Sequence, residues 1–155
     1  MMQKVDYIIA WAKVSDSEQI ASLEKKCFSS PWSVSQIENE ILKENVIFLV
    51  AKKDDDILGY ISGQLIIDEF YISNIAVAEE YRNLKIGSEI LKELINCLRN
   101  KKCVFATLEV RESNINAIKL YEKFGFTNLG LRRNFYSAPK ENAYIYTLFF
   151  NEEVN

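Results

Sequence analysis

The 155-residue chain is 48% hydrophobic and 12% aromatic, an apolar supply that suits one compact domain over residues 1–155 and leaves no room for a second. Its 19 Lys+Arg against 22 Asp+Glu give a net charge of -3, so no global positive field is available to hold nucleic acid, and the chain carries no histidine. That absence excludes Ser-His-Asp and Cys-His nucleophilic systems and histidine-ligated metal, leaving carboxylate, tyrosine, lysine, cysteine or water as the general base.

The N-terminal run VDYIIAWAKV, bracketed by Asp6 and Lys13, is too short for a membrane span and lacks a signal-peptide cleavage pattern. Cys27, Cys97 and Cys103 are odd in number and form no CxxC pair, which fits a reducing compartment. A cytoplasmic protein with no membrane contact is expected. Residues 5–12 read as a first strand. Ser15-Asp16-Ser17-Glu18 has the form of a capping box opening a helix to about Phe28, and Ser33-Val34-Ser35-Gln36, behind Pro31-Trp32, opens a second to about Glu44. Residues 46–52 and 57–67 read as a hairpin around Lys53-Asp54-Asp55-Asp56, and 70–77 continue the meander. Ile86, Ile90, Leu91, Leu94, Ile95 and Leu98 recur at helical spacing, with Lys92, Glu93 and Arg99 on the other side. Residues 104–110 then form a buried strand, 114–124 a helix, and 127–135 and 143–150 two closing strands. The order βααβββαβαββ predicts an α+β (mixed α/β) fold around a twisted sheet. The clusters Arg99, Lys101, Lys102 and Arg132, Arg133 read as solvated faces.

The junction from Asn74 to Ser88 leads a strand into the N-terminus of the long amphipathic helix. Free backbone N–H groups and a partial positive charge collect there, and Arg82 and Lys85 add two cations, a combination suited to a pyrophosphate. The same residues also fit a plain basic loop with Gly87 present for close packing. Farther on, Asn114 and Tyr121 are seven apart and share a helix face about 10 Å long. An N-cap for Asn114 and a core position for Tyr121 are the structural alternatives. Glu109 interrupts an apolar strand, where a carboxylate is either ion-paired, with Arg111 or Arg82, or functional.

The loop Arg82-Asn83-Leu84-Lys85-Ile86-Gly87-Ser88 resembles the R/Q-x-x-G-x-G/A loop of the GNAT family of N-acetyltransferases, with Lys85 in place of the first glycine, where a positive φ would be strained. The block LEVR-x-SN-xx-AI-x-LYEKFGF at 108–126 is similar to the strand-and-helix signature of the family's ribosomal-protein-alanine branch, and PWS at 31–33 and RRNFY at 132–136 extend the resemblance. It implies a central, mostly antiparallel sheet of about seven strands with about four helices, acetyl-CoA as co-substrate, no metal, and the N-terminal alanine of a ribosomal protein as acceptor. It further implies that Ile75, Ala76 and Val77 pair with the pantetheine arm, that the 82–88 loop, Asn114 and Tyr121 hold the cofactor, and that Tyr136 meets the peptide backbone.

An α-amino group has a pKa of about 7.7–8.0, so an acceptor must take its proton before attack. With histidine absent, Glu109 is the leading base, directly or through one water, and Tyr121 the candidate acid for the leaving thiolate. The resemblance assigns the same two roles. A backbone N–H near Val77 would stabilise the oxyanion. Direct transfer is expected, since no cysteine has an activating histidine. The rival readings are a polyamine or aminoglycoside acetyltransferase and a non-catalytic acyl-CoA-binding module. Residues 137–144 depart from the acidic pattern that the family carries before its last strand.

Overall fold

The computed structural model describes residues 5–150. Its strands are β1 (Ile8–Trp11), β2 (Val46–Lys53), β3 (Asp56–Ile66), β4 (Glu69–Val77), β5 (Phe105–Arg111), β6 (Thr127–Ser137) and β7 (Lys140–Phe149). The helices are α1 (Ser17–Cys27), α2 (Val34–Leu42), α3 (Ile86–Asn100) and α4 (Ile115–Lys123). The element order is the one the sequence predicts. One seven-stranded sheet has the order β1-β2-β3-β4-β5-β7-β6, antiparallel except where β4 meets β5.

Period-two alternation divides the sheet's apolar residues between two cores. On β2, Ile47, Leu49 and Ala51 pack with α3 and α4, whereas Val46, Phe48 and Val50 pack with α1 and α2. The apolar stripe of α3, with Ile86, Ile90, Leu91, Leu94 and Leu98 all buried, lies on the first of these faces. Ser33 and Gln36 form the expected capping box: Ser33 N–H donates to Gln36 Oε1 (2.8 Å) and Gln36 N–H to Ser33 Oγ (3.1 Å).

Three local expectations are corrected. The box at Ser15 to Glu18 does not form, because Asp16 is drawn inward to Lys52 Nζ (2.8 Å) and accepts from Lys13 N–H (2.8 Å). A short 3₁₀ turn, Val14–Asp16, precedes α1, which starts at Ser17. β1 is limited to Ile8–Trp11, the stretch that finds partners on β2. β3 ends at Ile66, since Ile67 takes φ 60° to make the turn into β4.

The feature that positions the site is a parting of strands. β4 and β5 pair only over Glu69↔Phe105, Phe70↔Ala106 and Tyr71↔Thr107. In β4 the register slips between Ser62↔Asn74 and Gly63↔Ile72, leaving Ser73 as an extra residue, and such a bulge bends its strand. From Ile72 onward β4 pairs with β3 alone, and from Leu108 onward β5 pairs with β7 alone. The sheet therefore opens between them.

Candidate active site

One wall of the opening is the edge of β4. Ala78 N–H donates to Leu58 O (2.8 Å), so by antiparallel alternation Tyr60 and Ala76 are a hydrogen-bonded pair, and Ile75 and Val77 turn their N–H and C=O groups away from β3. Of the three expected main-chain partners, Ile75 and Val77 face the opening. Ala76 is committed to Tyr60.

Above β4 the chain takes two left-handed residues, Asn83 (φ 67°) and Lys85 (φ 65°), before α3 begins. Asparagine tolerates this conformation; lysine does so at a cost of about 1–2 kcal/mol. Lys85 thus occupies the very conformation that a glycine would take without strain. The first helical bond is Glu89 N–H to Lys85 O (3.0 Å), which leaves the N–H groups of Ile86, Gly87 and Ser88 without intrahelical acceptors. A Cβ built on Gly87 meets Val77 Cγ2 at 3.6 Å and Leu120 Cδ2 at 3.7 Å, ordinary contacts. The fold's own packing therefore does not require glycine there, against the close-packing alternative. Lys123, which the sequence did not single out, places Nζ 3.5 Å from Ser88 Oγ and adds a cation beside this helix start.

Arg82 lies elsewhere. Its Nε donates to Val77 O (3.1 Å) and its Nη2 approaches Cys27 Sγ at 3.5 Å. The guanidinium thus ties the loop to the end of β4 beside a cleft of about 660 Å³ lined by Lys26, Cys27, Ile57 and Ala78, and does not join Lys85 at the helix start.

The other wall is β5, whose alternation sends Ala106, Leu108 and Val110 into the core with α3 and α4 and turns Thr107, Glu109 and Arg111 to the opposite face. Tyr121, on α4, belongs to that core: it is 4% exposed, its ring 5.7 Å from Phe126. Glu109 and Tyr121 therefore stand on opposite faces of the sheet beside the β4–β5 opening. Burial, and then the neighbouring Tyr136 phenol, pushes the Tyr121 hydroxyl well above its ordinary value, so it stays protonated. Tyr136 is raised by burial, opposed by Arg111 and reinforced by Glu109 and Glu141, which puts it within electrostatic reach of both Glu109 and Tyr121.

Glu109 is ion-paired, but to neither expected arginine: Arg132 Nε lies 3.3 Å from its Oε1. Arg132 is thereby more than part of a solvated face. Arg111 is taken by Pro139 O (2.8 Å), Ala138 O (3.2 Å) and Glu141 Oε1 (3.2 Å), with its guanidinium 4.1 Å from the Tyr136 ring centroid. Glu141 also accepts from Ser113 N–H (2.7 Å), and these hydrogen bonds, Ser113's first, hold its carboxyl below the usual range. The last strand starts at Lys140, earlier than the sequence predicts, and Glu141 places an acid at its beginning despite the departure from the family pattern. Asn114 caps α4, Oδ1 accepting from Ala117 N–H (3.3 Å), and among the described residues its Nδ2 donates to none.

A carboxylate unmarked by any sequence pattern lies under the α1–α2 loop. Glu24 is wholly buried and makes no ion pair among the described residues, accepting from Trp32 N–H (2.9 Å), Asn74 Nδ2 (3.1 Å) and the Tyr60 hydroxyl. Desolvation raises it, with the Trp32 and Asn74 bonds opposing. This cluster fastens the loop between α1 and α2 to β4 one residue before Ile75.

The model of the acetyltransferase (GNAT) family matches residues 17–126. A ribosomal protein bS18-alanine N-acetyltransferase of Haemophilus influenzae is 33% identical over 141 residues, 89% of this chain and 95% of that one. An N-alpha-acetyltransferase of Sulfurisphaera tokodaii is 28% identical over 155 residues, 90% of this chain and 91% of its own. The crystal structure of the ribosomal-protein-alanine N-acetyltransferase of Escherichia coli superposes with a TM-score of 0.86 at 27% identity, covering 97% of this chain and 99% of that one. With a family model spanning most of the chain, and a parted sheet crowned by a helix N-terminus, this chain belongs to the GNAT acetyltransferase family.

Proposed function

We propose that the chain, working as one domain in the cytoplasm, acetylates the N-terminal amine of a protein, with the alanine of ribosomal protein bS18, the acceptor in the relatives' names, as its substrate. The observation that carries the reading is the opening between β4 and β5, with outward main-chain groups of Ile75 and Val77 on one wall, Glu109 on one face and Tyr121 on the other.

The residues present fit acetyl-CoA. Among the described residues, the Ile75 N–H and C=O and the Val77 N–H form an open strand edge, which an amide-bearing pantetheine arm would extend, while Val77 O is held by Arg82. The N–H groups of Ile86, Gly87 and Ser88 at the start of α3, with Lys85 and Lys123 beside them, suit a pyrophosphate, and Gly87 lets it approach the backbone. Asn114 Nδ2 is free to meet the ligand from α4, and Arg82 acts by holding Val77 O and thereby the loop, with Asn83 and Leu84 forming the turn. Acetyl-CoA supplies the activated acyl group. In this reading a backbone N–H near Val77 stabilises the oxyanion, a donor worth roughly 3–4 kcal/mol in such a role. Glu109 takes the proton from the attacking amine, and Tyr121, fully protonated at neutral pH, returns one to the departing thiolate. The two act from opposite faces, so a peptide amine enters beside Glu109 and Tyr136 while the thiolate leaves toward Tyr121.

The test is intact-mass spectrometry of acetyl transfer to a peptide beginning with alanine, with a polyamine and an aminoglycoside as competitors. Acetyl on the peptide's α-amine is the expected product. Transfer to the small amines alone, or only to internal lysines, would overturn the reading.

A further inference from the structure

The proton acceptor needs something to hold it. Along β5, β7 and β6 the pairings Arg111↔Ala143 and Arg132↔Ala143 set two arginines either side of one small residue, on the face that also carries Glu109. Ala143 is fully buried and offers only a methyl group, so the Arg132 side chain crosses it from the edge strand to reach Glu109 on the next row. Arg111 is not available for this, since its guanidinium is bound to Glu141 and two carbonyls and stacked on Tyr136. The contact is one-sided: Arg132 Nε meets Oε1, and Oε2 has no partner among the described residues.

We propose that Arg132 is a positioning residue for the reaction, anchoring Glu109 by Oε1 so that Oε2 points at the incoming amine. The proposal rests on Glu109 being the proton acceptor. In the transfer an N–H bond of the ammonium breaks, its electron pair stays on nitrogen, and the proton forms an O–H bond at Oε2. A base oriented by a third group is the recurrent way such proton transfers are built. The cation also disfavours the protonated amine beside the carboxylate. The charged and titratable groups around Glu109 are Arg132 and Tyr136 from β6, Arg111 on its own strand and Glu141 on β7, and Arg111 and Glu141 are spent on each other.

The experiment compares Arg132→Gln, Arg132→Lys, Glu109→Gln and the Arg132→Gln/Glu109→Gln double variant, full-length, on an alanine-initiated peptide at saturating acetyl-CoA. Kinetics are followed against pH and melting temperatures measured alongside. For Arg132→Gln, which leaves the Glu109 carboxylate unanchored, kcat on the peptide is expected to fall by about tenfold, less than in Glu109→Gln. KM for acetyl-CoA and the melting temperature should stay unchanged, and Arg132→Lys should restore part of the lost rate. The double variant should be no slower than Glu109→Gln alone. An unchanged kcat in Arg132→Gln while Glu109→Gln is crippled overturns this proposal and leaves the base assignment standing. Intact kcat in Glu109→Gln overturns both.

Discussion

Replacing Lys85 by glycine removes strain that the structure places at the start of α3. Lys85 sits at φ 65° and makes no ion pair among the described residues, so the substitution breaks no salt bridge. The left-handed conformation costs a non-glycine residue about 1–2 kcal/mol, and glycine returns about 0.5–1 kcal/mol of that as extra chain entropy lost on folding. Glycine is also accepted at an N-cap. The net gain is about 0.5–1 kcal/mol, which for a chain of this size raises Tm by about 1–4 °C. Lys85→Met is the control, keeping the strain while removing the charge. Thermal melts of wild type and both variants, with and without acetyl-CoA, separate the two effects. Lys85→Gly alone should gain stability without ligand, whereas both variants should show a smaller acetyl-CoA-induced shift. A lower Tm for Lys85→Gly, or an equal gain in Lys85→Met, would refute the strain argument.

Tyr121→Phe should keep the packing on Phe126 and the melting temperature, because the hydroxyl has no hydrogen-bond partner among the described residues, yet lower kcat by about 10²–10⁴ without relief at alkaline pH. Normal turnover would remove Tyr121 from the chemistry. Glu24 is raised by burial in the folded state, so the stability it confers is present below the ordinary carboxylate range and is lost as pH rises through its folded value. Glu24→Gln cannot ionise, and the wild-type Tm is therefore expected to fall relative to this variant as pH is raised from about 4 to 8. A constant difference across that range contradicts the buried-charge account.

What was legible in the sequence is what is local. The Ser33 and Gln36 box needs only its own four residues, and the stripe of α3 and the alternation of β5 need only a period. The Ser15 box failed because Lys52, thirty-six residues after Asp16, competes for the Asp16 carboxylate. The opening between β4 and β5 depends on a single extra residue, Ser73, whose place in the register is fixed by β3. Glu109 stood out as a charge in an apolar strand. Its partner did not, because Arg132 reaches it across a third strand and no spacing along the chain encodes that. Glu24 was hidden by its place on an ordinary-looking helix, where only burial by Tyr60, Trp32 and Asn74 marks it.

Whether Glu109 takes the proton from the attacking amine is decided by kcat for Glu109→Gln against pH on an alanine-initiated peptide, with Tm taken on the same preparations. A base at this position gives a fall of about 10²–10⁴ at neutral pH, an unchanged KM for acetyl-CoA, and partial recovery as pH passes about 8, where more of the amine arrives already deprotonated. A variant that melts earlier but turns over at the wild-type rate per folded molecule would show Glu109 to be only the structural partner of Arg132.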